Sequence, residues 1–347
     1  MNFYNVEHKY YCGIDLHAKA MYICIMDNKG KILVHRNIRC DRDYFLKVLK
    51  PYREDVVVTV ECMFCWYWVA DLCTDEGIPF VLGHCLYMKA IHGGKAKNDK
   101  IDSKKIAALT RGGMLPQAYV YPREMRAARD LMRRRTHFTR KRAELLAHVQ
   151  MTRQQYNLPE FGRQLKSRYG PRAEIIEHFE DPIIRRNIEV DMVTIDHYDQ
   201  MLKELEKDIK RIAKVHNSES FHLLQSIYGV GPILAMTLLY EIHDINRFPR
   251  VQDFLSYARL VKPTKESAGK SYGHSGKKIG NAHLKWAFSE AGSLFLRGNE
   301  PAQKYLQKLE KKHGKGKALS ILSARMGRAV YFMLQRKKVF DMNKFLN

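Results

Sequence analysis

Tyr10-Tyr-Cys-Gly-Ile-Asp15-Leu-His17 places an aspartate at the end of a short apolar run near the head of the chain. Two further runs follow, over residues 21–26 and 32–35, separated by Asp27-Asn28-Lys29-Gly30, a composition suited to a turn. A helix is expected over residues 43–49, closed by Pro51. Val56-Val-Val-Thr-Val60 then reads as a fully buried strand ending on Glu61, residues 66–73 as a helix, and residues 79–82 as a fifth strand. Three antiparallel strands followed by alternating helix and strand is the order of an α/β, ribonuclease-H-like mixed sheet. In that order the first and fourth strands are neighbours, which brings Asp15 and Glu61 to one edge of the sheet.

Working outward, a helix over residues 100–111 begins at Asn98-Asp99-Lys-Ile-Asp102-Ser103. Asp99 and Asp102 are three apart and share a helix face. Capping and the helix dipole explain one acid at such a position. Two, joined to Asp15 and Glu61, make the donor set of a pair of hard divalent cations, Mg2+ or alternatively Mn2+. Two such ions clamp both sides of a phosphoryl displacement. His17 and Lys19 flank Asp15 and suit either a phosphate contact or a plain exposed turn.

The source of the phosphate is suggested by charge. The 347 residues carry 60 Lys+Arg against 37 Asp+Glu, a formal net charge of +23, with 45% hydrophobic and 11% aromatic residues. That excludes a disordered tail and fits a folded protein with a polyanionic partner. No apolar stretch is long enough to span a bilayer, and no basic amphipathic anchor is evident. The N-terminus lacks the pattern of a signal peptide, and seven cysteines, all before residue 86, form an odd set. These features predict a reducing cytoplasm and no disulfide framework. Cys62-Met-Phe-Cys65 has the spacing of half a zinc site but no second pair follows it, so buried thiols are expected.

Residues 123–142 hold nine basic side chains (Arg123, Arg126, Arg129, Arg133, Arg134, Arg135, Arg140, Lys141 and Arg142) against Glu124 and Asp130. A long helix with a basic face along a nucleic-acid backbone is expected. Lys95 and Lys97, in the Gly-rich stretch before Asp99, are further candidate contacts. Ile195, Tyr198, Leu202, Leu205, Ile209 and Ile212 step at coiled-coil spacing, for self-association or an antiparallel hairpin within the chain. Ile227-Tyr-Gly229-Val-Gly231-Pro resembles a helix-hairpin-helix turn, whose glycine amides can approach a phosphate. Residues 262–285 read as a Lys-rich loop in which Lys265, Lys270, Lys277 and Lys278 are candidate contacts, and a helical tail with Lys311, Lys312, Lys315 and Lys317 follows. The expected division is a catalytic domain over 1–150 ending in the basic helix, a helical connector over 151–215, and a mainly α domain over 216–347.

At these residues the chain resembles the insertion-sequence 110 family of DEDD transposases over nearly its whole length. Gly-Ile-Asp15, Glu61 and Asp99-Lys-Ile-Asp102 match the four acids of that family's RuvC-like domain. Ser-Ile-Tyr-Gly-Val-Gly-Pro, Phe254-Leu-Ser-Tyr-Ala-Arg-Leu-Val-Lys-Pro263 and Lys278-Ile-Gly-Asn-Ala-His-Leu-Lys285 resemble its second domain. The resemblance implies a serine nucleophile ahead of the last motif. Ser267 is the closest match, with Ser271 and Ser275 in the same stretch. It further implies a composite site with metal-bound carboxylates, a 5′-phosphoserine intermediate, double-stranded DNA of element ends and target as substrate, a homo-oligomer (dimer or tetramer), and guidance by a structured RNA that the element encodes.

Residue chemistry alone leaves alternatives. A metal-dependent nuclease or junction resolvase would use the same acids with water as nucleophile, since a lone serine needs activation. A sugar kinase or ATPase also opens on Gly-Ile-Asp, but its phosphate turn has glycine after the aspartate where this chain has Leu-His-Ala-Lys. A catalytically dead binding protein fits poorly with four intact acids.

Overall fold

The computed structural model describes residues 2–91, 98–162, 165, 167–168, 170, 172–262, 264–274 and 279–346. They fall into two compact units, Met1–Arg123 and Glu124–Asn347. The boundary comes ahead of the basic helix, which the sequence division attached to the first domain.

The first unit runs β1 (Phe3–Tyr4), β2 (Tyr10–Leu16), β3 (Ala20–Asp27), β4 (Ile32–Arg39), α1 (Arg42–Leu49), β5 (Val56–Glu61), α2 (Tyr67–Asp75), β6 (Phe80–Gly83), α3 (Cys85–Ile91), α4 (Asp99–Arg111) and β7 (Leu115–Pro116). Its sheet has the order β4-β3-β2-β5-β6, antiparallel on the β4 side and parallel from β2 through β6. That is the ribonuclease-H-like order. β5 is buried from Val56 to Val60, with Thr59 its one polar residue before Glu61, because both faces of a parallel strand are covered. Alternation along the strands sorts the faces. Cys12, Ile14, Leu16, Val56, Val58 and Val60 enter one core with Phe45 and Leu49 of α1 and Val69 and Cys73 of α2. Tyr11 and Val57 enter the other, with Ile106, Ala107 and Leu109 of α4. Gly13, Asp15, Thr59 and Glu61 share the parity of that second set and lie on the α4 face.

The second unit is mainly helical: α5 (Arg123–Gln155, its first residue in the first unit), α6 (Arg172–Glu177), α7 (Pro182–His216), α8 (Ser218–Gln225), α9 (Pro232–Ile242), α10 (Val251–Tyr257), β8 (Thr264–Ser267), β9 (Lys270–His274), α11 (Ala282–Phe295), α12 (Glu300–His313), α13 (Lys315–Arg336) and α14 (Met342–Leu346). α5 and α7 form an antiparallel pair, seen in the order of their ion pairs. Arg135 meets Glu206, Arg142 meets Asp199 and His148 meets Asp191, one number rising as the other falls. Ile195, Leu202 and Ile209 of the heptad seam are buried within this unit. Ile195 packs with Val149, Phe161 and Phe179, and Ile209 with Met132, Met236 and Tyr240. The larger core gathers α8 to α14 around Leu238, Phe254, Phe288, Phe295, Met326 and Val330.

The turn between α8 and α9 is built for packing as well as for exposure. Gly229 has φ +81°, and a Cβ there would lie 2.7 Å from the Leu294 carbonyl carbon, so the end of α11 needs this glycine. Tyr228 Oη donates to Arg297 O (2.9 Å) and fastens the same contact. Gly231, the N-cap of α9, has open space around it. No helix among the described residues is long and apolar enough to cross a membrane.

Candidate active site

Parallel pairing sets the first two acids side by side. Gly13 pairs with Thr59 and Ile14 with Val60, so Asp15 and Glu61 are the next residues along adjacent strands, at the same end and on the same face. The other two arrive on α4, which packs directly on β2. A Cβ at Gly13 would sit 2.3 Å from Ala107 N and 2.5 Å from Ser103 O, closer than any side chain allows. Glycine at this position is therefore what lets the helix come down onto the strand. Gly13→Ala is expected to push α4 outward and destabilise the protein by about 1–3 kcal/mol, the usual cost of overpacking, with a lower melting temperature. An unchanged melting temperature would deny the close approach.

At its N-terminus α4 is capped by Asn98, whose Oδ1 accepts from Ile101 N at 2.8 Å. With the cap supplied, Asp99 and Asp102 are free for other work in the first turn. His17 Nε2 lies 3.7 Å from Asp15 Oδ2 and 3.4 Å from Asp99 Oδ2. Asp15, His17 and Asp99 each offer a ligand atom, all within 4.8 Å of one another. Asp102 is 3.5 Å from Lys105 Nζ.

Burial pushes the Asp15 carboxyl up to about 6; His17 pulls it down, while the negative charges of Asp99, Asp102 and Glu61 push it further up. All four acids thus bear on one point, although Glu61 and Asp102 are outside the tightest group. Such a cluster of hard oxygens around a buried, strained carboxylate fits a divalent cation, whose charge would relieve both the burial and the mutual repulsion. His17 was only weakly visible in sequence. Its signal is the alternation Gly13, Asp15, His17, which continues the α4 face past the strand end.

The nearby thiols do not join this group. Burial pushes Cys85 up to about 12, with the adjacent Glu61 adding to it, and holds Cys65 above its ordinary value. Cys85 Sγ donates to Cys62 O (3.1 Å) and Cys65 Sγ to Leu16 O (3.4 Å). None of the seven cysteines forms a disulfide.

In the second unit Ser267 closes β8 and Lys270 opens β9, with Ala268 (φ 49°) and Gly269 (φ 73°) between them. Two consecutive residues of positive φ make the two-residue turn typical of tight hairpins. Ser267 and Lys270 are both exposed at its tip. The sequence expectation of an irregular loop is corrected here to a hairpin. Lys265 lies in β8 and Ser271 in β9. Lys95, Lys97, Ser275, Lys277 and Lys278 lie outside the described residues.

On the basic helix several of the arginines are engaged within the protein. Arg133 donates from Nε to Glu241 Oε1 (2.7 Å) and from Nη2 to Oε2 (3.0 Å), while Arg129 Nε donates to Oε2 (3.1 Å). Asn281 Nδ2 completes the set at 2.7 Å, and its own Oδ1 caps α11 by accepting from His283 N and Leu284 N. Burial pushes the Glu241 carboxyl up, but the hydrogen bonds and charges of Arg133, Arg129 and Asn281 prevail and hold it down to about 2. Arg135 is likewise engaged with Glu206. Arg134 and Arg140 are exposed, as is Lys141 beside Glu144.

Comparison with known proteins supplies the family. A model of DEDD transposases of the IS110 group matches residues 12–157, and the model described as the transposase IS116/IS110/IS902 family matches residues 221–307. The transposase for insertion sequence element IS1111A of Coxiella burnetii is 22% identical over 335 residues, spanning 94% of this chain and 90% of that protein.

Proposed function

Since the chain belongs to the IS110 family of transposases and is a DNA transposase, we propose that it cuts and rejoins DNA with Asp15, Glu61, Asp99 and Asp102 as metal ligands and Ser267 as nucleophile. The observation that carries this reading is the meeting of Asp15 and Glu61 on neighbouring strand ends, under the α4 turn that bears Asp99 and Asp102. A divalent cation such as Mg2+ held there supplies Lewis-acid stabilisation of the phosphoryl oxygens and the leaving oxygen.

Ser267 Oγ attacks the phosphorus of the scissile phosphodiester. As the new Oγ–P bond forms, the P–O3′ bond breaks, the serine proton is lost, and the released oxygen takes a proton as a 3′-hydroxyl. The 5′-phosphoserine keeps a phosphodiester bond, so a 3′-hydroxyl from another strand can reverse the step without a nucleotide cofactor. Exposure of Ser267 at a hairpin tip suits a nucleophile that must meet a duplex. Arg134, Arg140 and Lys270, all exposed, are the residues we assign to the nucleic-acid backbone, read by charge and shape. An element-encoded guide RNA and assembly as a homo-oligomer belong to the same proposal and rest on the family.

The test incubates the full-length protein, with any RNA that copurifies, with Mg2+ and DNA bearing the element ends. A denaturation-resistant adduct mapping to the Ser267 peptide is expected, and Ser267→Ala should lose it while still binding DNA. Free 5′-phosphate ends without an adduct would replace this reading with a nuclease that uses water.

A further inference from the structure

Strand β2 and helix α4 run in opposite directions and keep nearly the same pace. Two residues of a strand advance about 6.7 Å and four residues of a helix about 6.0 Å. Positions 13 and 15 on β2, and 17 just past its end, therefore run alongside positions 107, 103 and 99 on α4. The first step is the bare contact of Gly13 with Ala107 and Ser103. The last is His17 against Asp99, at 3.4 Å. The same ladder that brings Asp15 under α4 thus brings His17 to the cluster, one rung further along.

The backbone of His17 is held on both sides. Its N–H donates to Ala20 O (2.9 Å), and its carbonyl accepts from Cys40 Sγ (3.3 Å). The imidazole itself is half exposed and faces two carboxylates, with Nε2 toward both. It packs into no core, so holding the fold together does not explain its place.

We propose that His17 is a metal ligand, and that the cation bound by Asp15 and Asp99 has a mixed nitrogen and oxygen donor set. The proposal rests on the reading of the acids as metal ligands and adds a fifth residue to them. Its consequence is selectivity. Carboxylates and water suit Mg2+, whereas an imidazole favours ions further along the first transition series. This chain is accordingly expected to prefer Mn2+ over Mg2+ more strongly than a site made only of carboxylates.

A different role predicts the opposite sign. If His17 were a cationic counter-ion to Asp15 and Asp99, it would compete with the metal, and its removal would tighten binding. The experiment titrates full-length protein with Mn2+ and records electron spin echo modulation of the bound ion. Modulation from a directly bonded imidazole nitrogen is expected. His17→Ala should abolish it and weaken Mn2+ binding by tenfold or more, with the metal-free protein still folded. His17→Asp should restore binding with the preference moved toward Mg2+. Absent nitrogen modulation, or tighter Mn2+ binding by His17→Ala, overturns the proposal while leaving the acids in place. Mn2+ binding that Asp15→Asn does not weaken overturns the reading of the acids instead.

Discussion

Asp15→Asn is expected to lower the rate of DNA strand cleavage by roughly 10³-fold or more while making the metal-free protein more stable. The first half follows from the proposed role of Asp15 as a metal ligand, since a cation's stabilisation of phosphoryl charge would be worth several kcal/mol. The second follows from burial, which pushes the Asp15 carboxyl from 3.8 up to about 6. A carboxyl whose folded value is raised contributes stability below its unfolded value, and that contribution is lost as pH rises through the folded one. Above pH 6 the ionised group therefore strains the metal-free fold by an amount on the order of 2 kcal/mol. Asparagine removes the strain. The gain in melting temperature should be absent near pH 4, open between pH 4 and 6, and stay constant above. Cleavage within tenfold of wild type, or a variant less stable at pH 7 with metal chelated, would refute the assignment.

Glu241→Ala should destabilise the protein by about 3–5 kcal/mol, the usual effect of removing one member of a buried ionic group. Arg129 and Arg133 would lose the carboxylate they share, and Asn281 would lose the anchor that fixes the start of α11. For a unit of this size that is a fall of about 10 °C in melting temperature. The pH dependence runs opposite to that of Asp15. Here the folded value is held down to about 2 from 4.5, so the stabilisation is full above pH 4.5 and fades as pH falls toward 2. The difference between wild type and variant should shrink across that window. A change below 1 kcal/mol at pH 7 would show that the three elements do not depend on this carboxylate.

These two residues also mark what the sequence made legible. The sheet could be read because the evidence is local: short apolar runs, two of them ending on Asp15 and Glu61, in an order that few topologies share. Where reading fell short, the cause was physical. β4 continues to Arg39, past the apolar run, because an edge strand can carry exposed Arg36 and Asn37. The hairpin of Ser267 hides in a lysine-rich stretch because its described side chains are exposed, so no apolar alternation encodes it. Arginines on α5 looked alike in sequence, yet their partners differ. Arg142 meets Asp199 at 57 residues' separation and Arg129 meets Glu241 at 112. A guanidinium committed to a distant carboxylate carries the same letter as one left for phosphate.

The pairing of α5 with α7 limits how this chain can change in length. Arg135, Arg142 and His148 meet Glu206, Asp199 and Asp191 at intervals near one heptad. An insertion in one helix alone would shift every later pair out of register and turn the buried seam toward solvent. Matched insertions or deletions of seven residues, about 10.5 Å of helix each, would leave both intact. Relatives that vary here are expected to do so in compensated whole-heptad steps, so the length of this pair is adjustable only in coarse units.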